Sequence, residues 1–165
     1  MNSEIETMLR AAEGRYPTRA EQALLREWAS RLEARLAALE ELRAHEEAIV
    51  RQTMTDVLAA YPEFEAKMRG GREAAVRDLT LVLRYCGQAM LRGDARYLEE
   101  TILAWFATIL RGLGFAREFI ADTYKTLGKH ARAELSPQAG ELLRPFLELC
   151  TERLADGAGD KEKVA

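Results

Sequence analysis

Apolar residues recur at intervals of three and four along nearly the whole chain, which is the spacing of one helical face. A typical stripe is Leu25, Trp28, Leu32, Leu36 and Leu39. No segment alternates apolar and polar residues with the β-branched enrichment of a strand. The pattern therefore predicts an all-α protein.

The breaks in this pattern divide the chain into seven helices. Their predicted bounds are about Glu4–Glu13, Thr18–Ala44, Glu46–Tyr61, Arg72–Leu91, Arg96–Leu110, Ala116–Glu134 and Ser136–Ala155. Thr18 and Glu21 have the spacing of a capping box, and Ser136–Pro137 is typical of a helix start. Pro62 ends the third helix, and Gly93–Asp94 ends the fourth.

Helices of unequal length joined by short loops suit a globin-like packing, although periodicity leaves an even four-helix bundle open. The helix Arg96–Leu110 is apolar on most sides, which predicts that it is buried. Pro145 lies inside the last helix, where a kink is expected. We predict a single domain over residues 1–155 and a flexible tail over residues 156–165.

Composition and charge narrow the classes of function. A length of 165 residues suits one domain, and a net charge of -3 argues against a nucleic-acid surface. The longest apolar stretch, Thr101–Leu110, is half of the roughly 20 residues that a membrane span requires. The start of the chain is acidic and has no signal core, and two distant cysteines suit a reducing compartment. We therefore expect a cytoplasmic protein that binds neither membrane nor nucleic acid.

No catalytic constellation is apparent. The chain has no Gly-rich phosphate loop, no nucleophile elbow and no metalloprotease helix. Its only histidines, His45 and His130, are too sparse for a structural zinc site. The sequence therefore predicts a protein that is not an enzyme and holds no metal ion.

One stretch of the chain carries a specific resemblance. Arg77-Asp78, Leu83-Arg84-Tyr85 and Gly93-Asp94 follow one another at the spacing that phycocyanin and allophycocyanin subunits show. With weaker matches on both sides, the resemblance to the phycobiliprotein family covers about Ala12–Leu154. It implies a globin-like, phycobilisome-type fold with an N-terminal helical hairpin.

The resemblance also implies a ligand and its contacts. In this family the arginine at the Arg77 position pairs with a bilin propionate, and the aspartate at the Asp78 position accepts hydrogen bonds from pyrrole nitrogens. Tyr85 is a third candidate contact. Biliverdin and phycocyanobilin are the candidate bilins. Without the resemblance, Arg77 and Asp78 would be interpreted as a solvated ion pair.

Three departures from the family pattern change this expectation. Ala75 stands where the family has its chromophore cysteine, so a thioether at this position is excluded. The loop after the third helix is several residues shorter, and Trp105-Phe106-Ala107 replaces the family's Gly-Leu-Arg. The chain is most similar to cysteine-lacking, phycobiliprotein-like globins associated with bilin synthesis in non-photosynthetic bacteria. Cys86, three turns after Ala75, is either a displaced attachment point or a small buried hydrophobe.

The resemblance further implies an interface. In the family the arginine at the Arg84 position bridges to an acid in a partner's N-terminal hairpin, and Glu13 lies near that position. Met8 and Leu9, with Ile5, form an apolar strip too small to fold alone. Residues 1–17 are therefore expected to dimerise, with a second copy or with a different phycobiliprotein-like subunit.

Three functions remain open at this point. The first is a noncovalent bilin carrier or receiver that acts near bilin synthesis. The second is a ligand-free interaction protein whose pocket is filled by Trp105, Phe106 and Phe115. The third is a haem-binding sensor globin, against which the helix Arg96–Leu110 argues because it has no histidine.

Overall fold

The structure, a computed structural model, describes residues 2–64 and 70–157. These residues form helices and connecting turns without a strand, which confirms the all-α prediction. The α-helices are α1 (Ser3–Ala11), α2 (Arg19–Ser30), α3 (Leu32–Ala60), α4 (Gly71–Arg92), α5 (Ala95–Leu98), α6 (Ala104–Gly112), α7 (Arg117–Glu134) and α8 (Pro137–Gly157). A π-helical segment, Glu99–Leu103, joins α5 to α6.

The N-terminal hairpin forms as the local sequence predicts. Thr18 Oγ1 accepts a hydrogen bond from the Glu21 backbone N–H at 3.3 Å, and Glu21 Oε2 accepts one from the Thr18 N–H at 2.6 Å. This reciprocal pair is the predicted capping box, and it begins α2. Asn2 caps α1 by accepting a hydrogen bond from the Glu4 N–H at 2.8 Å.

The predicted break near His45 is wrong. α2 ends at Ser30, and α3 then runs for 29 residues straight through His45. Ala44, His45 and Glu46 contain no helix breaker, so the ladder of hydrogen bonds continues across them. Just before the end of α2, the Trp28 indole donates a 2.7 Å hydrogen bond to the Arg92 carbonyl, which connects this turn to the end of α4.

The core lies among α3, α4, α7 and α8, which pack against one another. Its largest fully buried side chains are Ile49, Leu83, Met90, Leu98, Ile102, Leu127, Leu143 and Leu154. Cys86 and Cys150 are also fully buried, with their sulfur atoms 3.3 Å apart and no disulfide between them. Cys86 is therefore the small buried hydrophobe of the two alternatives.

The region predicted as one buried helix, Arg96–Leu110, differs in two ways. It is divided into α5, the π-helical segment and α6, and it leaves one apolar face open. Trp105, Ile109 and Leu113, spaced four apart, are 45%, 44% and 53% exposed. We call these three residues the α6 stripe.

The last helix begins as predicted. Ser136 Oγ accepts a 3.3 Å hydrogen bond from the Ala139 N–H, and the Glu41 carboxylate accepts hydrogen bonds from both the hydroxyl and the N–H of Ser136. α8 continues past Pro145 to Gly157, two residues into the segment predicted as a tail. The remainder of that tail, residues 158–165, lies outside the described residues, as do residues 65–69 of the predicted loop.

No helix among the described residues combines the length and the apolar content that crossing a bilayer requires.

Candidate functional site

An apolar cleft of about 200 Å³ opens between α4 and the α6–α7 corner, and the end of α3 forms its floor. Its apolar walls include Met54, Val57, Leu79, Phe106, Leu110 and Ile120. Ile109 and Leu113 of the α6 stripe form one edge. We call this space the aromatic cleft, for the rings described next.

Three phenylalanines meet at one end of the aromatic cleft. Phe64 and Phe119 stack with ring centroids 5.3 Å apart and an interplanar angle of 22°, and Phe115 lies 5.3 Å from Phe119. Tyr61 packs edge-on against the Phe119 ring, and its hydroxyl donates a 2.6 Å hydrogen bond to Asp122, which raises the pKa of Tyr61 to about 12. The cluster presents flat, polarisable surface, which suits a conjugated planar ligand.

Arg77 and Asp78 both line the aromatic cleft, where α4 positions them side by side. Arg77 donates from Nε and Nη2 to one oxygen of Asp78, Oδ1, at 3.1 Å each. The Arg77 side chain is 75% exposed and that of Asp78 is 32% exposed. Asp78 Oδ2 accepts no hydrogen bond from the described residues, so the pair keeps an acceptor and several donors for a ligand.

Ala75 lines the same cleft, one turn before Asp78. Its methyl group therefore occupies the position at which a cysteine would present a thiol to a ligand. Cys86 is absent from the lining and is sealed in the core, where burial and then the contact with Cys150 raise the pKa of its thiol well above the usual value. Neither residue supplies a thiolate to the cleft.

Tyr124 is a site residue that the sequence analysis missed. It lines the aromatic cleft from α7 and is only 4% exposed. Its hydroxyl makes no hydrogen bond with another described residue, and it is not one of the polar atoms that are sealed from solvent without a partner. Burial, followed by the charges of Cys150 and Asp78, raises the pKa of Tyr124 well above its usual value, so the hydroxyl stays protonated and remains a donor. Periodicity alone places Tyr124 in the core and gives no signal that a cavity faces it.

Tyr85, the third predicted contact, does not line the aromatic cleft. Its ring packs against that of Tyr97, with centroids 6.4 Å apart. Tyr97 in turn donates a 2.6 Å hydrogen bond to Gln88 and lies 4.1 Å beneath the guanidinium of Arg92. In this structure Tyr85 belongs to a surface aromatic group near the end of α4.

Both histidines lie away from the aromatic cleft. His130 Nε2 is 2.9 Å from Asp56 Oδ2, and His45 Nδ1 is 3.4 Å from Glu134 Oε2. Within the described residues there is no group of three or more His, Cys, Asp or Glu side chains that could hold a metal ion. A haem ligated from this cleft would find no histidine on its walls.

Arg84 and the apolar strip of α1, both predicted to lie at an interface, make contacts within the chain. Arg84 forms a two-pronged pair with Glu46 of α3, at 2.7 and 2.8 Å. Ile5 is buried against its own chain, and Met8 and Leu9 are half-buried. The apolar strip of α1 is thus largely covered without a partner. Glu13 is exposed at the end of the hairpin.

Comparison with known proteins gives two matches. The family model described as "Phycobilisome protein" matches residues 10–154, which is most of the chain. The allophycocyanin alpha-B chain of Cyanophora paradoxa is 23% identical over 148 residues, which cover 86% of this chain and 90% of the relative.

Proposed function

Because this chain belongs to the phycobilisome protein family and has its all-α, globin-like fold, we propose that it binds a linear tetrapyrrole noncovalently in the aromatic cleft. The observation that carries the proposal is the grouping of Arg77, Asp78 and the Tyr124 hydroxyl, which has no hydrogen-bond partner among the described residues, around an apolar space walled by three phenylalanines.

Each polar group has a distinct task toward such a ligand. The Arg77 guanidinium is exposed and able to bind a propionate carboxylate with two parallel hydrogen bonds. Asp78 Oδ2 is available to accept hydrogen bonds from pyrrole N–H groups, and Tyr124 is available to donate one. When bound, the bilin supplies the visible absorbance, and the protein's part is to hold it in one conformation.

The size of the aromatic cleft fits part of a tetrapyrrole. Its volume of about 200 Å³ lies below the roughly 300–1,000 Å³ that is usual for ligand pockets. The cleft is open toward the α6 stripe, whose exposed apolar side chains offer further contact area. The bilin therefore covers Ile109 and Leu113, with one end seated among Phe64, Phe115 and Phe119.

The same arrangement favours a carrier or receiver of bilin over an enzyme. Among the described residues that line the cleft there is no cysteine to attach the ligand, and Ala75 leaves the ligand free to dissociate. We propose that this carrier acts beside bilin synthesis in the cytoplasm, with biliverdin and phycocyanobilin as the candidate cargoes. The buried, reduced pair Cys86 and Cys150 suits that compartment.

The direct test is an absorbance titration of the full chain with phycocyanobilin and with biliverdin. We expect one saturable site per chain and a sharpened, red-shifted band. Asp78→Asn should shift the band back and weaken binding, and Arg77→Met should weaken binding by about tenfold, the loss expected for a charge-assisted hydrogen bond.

Arg84→Met is the matched control for Arg77→Met. It removes another exposed arginine from the same helix, but Arg84 pairs with Glu46 and does not line the cleft. Its titration should match that of the wild type. If Arg77→Met and Arg84→Met behave alike, or if neither bilin gives a saturable change, the cleft is not a tetrapyrrole site.

A second function, self-association through the N-terminal hairpin, is supported by a different observation. Tyr16 is 94% exposed and Leu24 is 43% exposed on this hairpin, and large apolar side chains in such positions are typical of interfaces. A homodimer or a heterodimer with a related subunit would cover them, with Glu13 at the rim. In that assembly Arg84 would exchange Glu46 for a partner's acid.

Substitution tests this assembly better than deletion of residues 1–17, because deletion would also expose the surface that Ile5 covers. Tyr16→Ser with Leu24→Gln should convert a dimer to a monomer in sedimentation velocity. Leu36→Gln, at a position that is 40% exposed on α3, is the control. An unchanged mass for the hairpin variant would exclude this interface.

A further inference from the structure

The Arg35 guanidinium is a buried charge that forms no ion pair with another described residue. Arg35 lies on α3 and is 9% exposed. Its Nη1 is sealed from solvent and has no hydrogen-bond partner among the described residues. Native proteins pair nearly all such groups, so an unpaired one calls for an explanation, such as an ion that completes the site.

The backbone at Gly93 brings the guanidinium into this position. Gly93 ends α4 with a φ of 64°, and a Cβ built there would lie 2.5 Å from Arg35 Nη2 and 2.8 Å from Nη1. The guanidinium therefore lies directly against the glycine backbone. Trp28, whose indole donates to the neighbouring Arg92 carbonyl, closes one side.

Arg35 also lines a separate cleft of about 250 Å³ between α1, α2 and the end of α4. Ile5, Met8, Leu24 and Trp28 form its apolar walls. This Arg35 cleft shares none of its lining residues with the aromatic cleft. A ligand here would therefore be independent of the proposed bilin.

The charged neighbours do not neutralise Arg35. Arg31, one turn earlier on the same face, adds a second positive charge, and Glu27 is already paired with Arg31 at 3.0 Å. Glu4, the remaining acid of the lining, is exposed and forms no ion pair within the described residues. Burial and then repulsion from Arg31 lower the pKa of Arg35, which indicates that this environment destabilises the charged form.

We propose that the Arg35 cleft is an oxyanion site, in which the guanidinium of Arg35 binds a carboxylate or phosphate group. An oxyanion at Nε or Nη2 neutralises the whole delocalised guanidinium, including the sealed Nη1. Arg31 adds attraction from the mouth of the cleft. Burial of Arg35 strengthens the interaction because the guanidinium is largely withdrawn from water. The oxyanion comes either from a small ion in solution or from a carboxylate side chain of a second copy of the chain.

The test measures thermal unfolding of the full chain as sodium phosphate or sodium acetate replaces sodium chloride at constant ionic strength. For a small-ion site, Tm rises by about 5–10 °C when the ion is about a hundredfold above its Kd. Calorimetric titration then gives about one ion per chain, and the result does not depend on protein concentration.

Arg35→Met keeps the aliphatic stem and removes the charge. It should weaken phosphate or acetate binding at least tenfold and raise Tm in the absence of either ion, since no unpaired charge remains buried. Arg31→Met is the matched control, one turn away and already paired, and it should keep more than half of the stabilisation. Arg35→Gln provides a second uncharged variant.

If a second copy supplies the carboxylate, Tm rises with protein concentration and is indifferent to phosphate, and Arg35→Met lowers the mass seen by sedimentation. The proposal is overturned if phosphate and acetate stabilise wild type and Arg35→Met equally and both proteins have the same mass. An equal response would be the general salting effect of these ions.

Discussion

Asp94 holds Ser3 by two hydrogen bonds to the same oxygen, and so joins the first residue of α1 to the corner between α4 and α5. Oδ2 accepts from the Ser3 backbone N–H at 2.7 Å and from its hydroxyl at 2.5 Å, while Oδ1 accepts from the Tyr97 N–H at 3.2 Å. One carboxylate thus caps α5 and anchors α1 across 91 residues of sequence. This contact, together with burial of Ile5, explains how α1 docks without a partner chain.

The first prediction concerns this carboxylate and pH. Burial raises the pKa of Asp94, but the hydrogen bonds from Ser3 and Tyr97 outweigh burial, so the pKa lies below its ordinary value. A depressed pKa means that the contact is fully stabilising above the unfolded-state pKa of about 3.9 and is lost as pH falls through the folded-state pKa. Asp94→Asn should reduce the free energy of unfolding by about 1.5–3 kcal/mol at pH 7 and flatten its dependence on acid pH.

Ser3→Ala gives the smaller, matched change. It removes the hydroxyl but keeps the backbone hydrogen bond, so the loss should be about 1 kcal/mol. Urea unfolding between pH 3 and pH 7 measures both variants, and hydrogen exchange at pH 7 locates the loss in α1. If the free energy of unfolding of wild type and Asp94→Asn depends on pH in the same way, the Asp94 carboxylate does not contribute to the loss of stability in acid.

The second prediction separates two reasons for a glycine at position 93. Gly93 has a φ of 64°, which disfavours any side chain, and a Cβ there would also collide with the Arg35 guanidinium. Gly14 has a φ of 80° and nothing within 4 Å of its Cβ position. Gly14→Ala should therefore cost about 1–2 kcal/mol from strain alone, and Gly93→Ala about 1 kcal/mol more, because the Arg35 guanidinium must shift.

The excess at Gly93 should depend on Arg35. In a double-mutant cycle with Arg35→Met, a flexible thioether replaces the planar guanidinium, so the cost of Gly93→Ala should fall toward that of Gly14→Ala. Urea unfolding of the four proteins measures the coupling. Additive costs would mean that the guanidinium does not press on Gly93.

Helix starts that depend on residues close together in the chain could be predicted from the sequence. The Thr18–Glu21 capping box and the Ser136 cap depend on residues three apart, and both form as the pattern indicates. The family spacing indicates the pair Arg77 and Asp78, and both residues line the aromatic cleft.

Helix boundaries and cavities that depend on tertiary contacts could not be predicted from the spacing of apolar residues. The chain breaks at Arg31 and continues through His45, and the hydrogen bond from Trp28 to Arg92 that accompanies this break spans 64 residues. A π-helical segment before α6 gives no signal in the apolar pattern. Tyr124 and Arg35 look like ordinary core and surface positions in the sequence, because only the packed fold places a cavity beside each of them.

The third prediction concerns position 75, where the chain has alanine in place of a cysteine. Ala75 lines the aromatic cleft, whereas Cys86 and Cys150 are sealed in the core. Wild-type protein should therefore release all phycocyanobilin on denaturation. Ala75→Cys should retain a covalent fraction, because the thiol adds across the ethylidene double bond of the bilin, forming one S–C bond and transferring the thiol proton to the adjacent carbon.

Denaturing electrophoresis with zinc-induced bilin fluorescence distinguishes the two proteins. Val76→Cys is the control, since Val76 is the adjacent residue and does not line the cleft. A covalent band in the wild type would mean that Cys86 or Cys150 becomes accessible. Equal bands for Ala75→Cys and Val76→Cys would mean that the ligand does not lie against Ala75.

The fourth prediction tests Tyr124 as a ligand contact. Its hydroxyl has no hydrogen-bond partner in the described residues, so Tyr124→Phe removes no interaction from the free protein, and the free energy of unfolding should stay within about 0.5 kcal/mol of wild type. Bilin binding should weaken about fivefold, which corresponds to one neutral hydrogen bond of about 1 kcal/mol. Tyr61→Phe is the converse control, because the Tyr61 hydroxyl donates to Asp122 and the residue does not line the cleft. Tyr61→Phe should lose stability and keep bilin affinity. If Tyr124→Phe binds bilin as tightly as the wild type, the Tyr124 hydroxyl faces the cleft but does not contact the ligand.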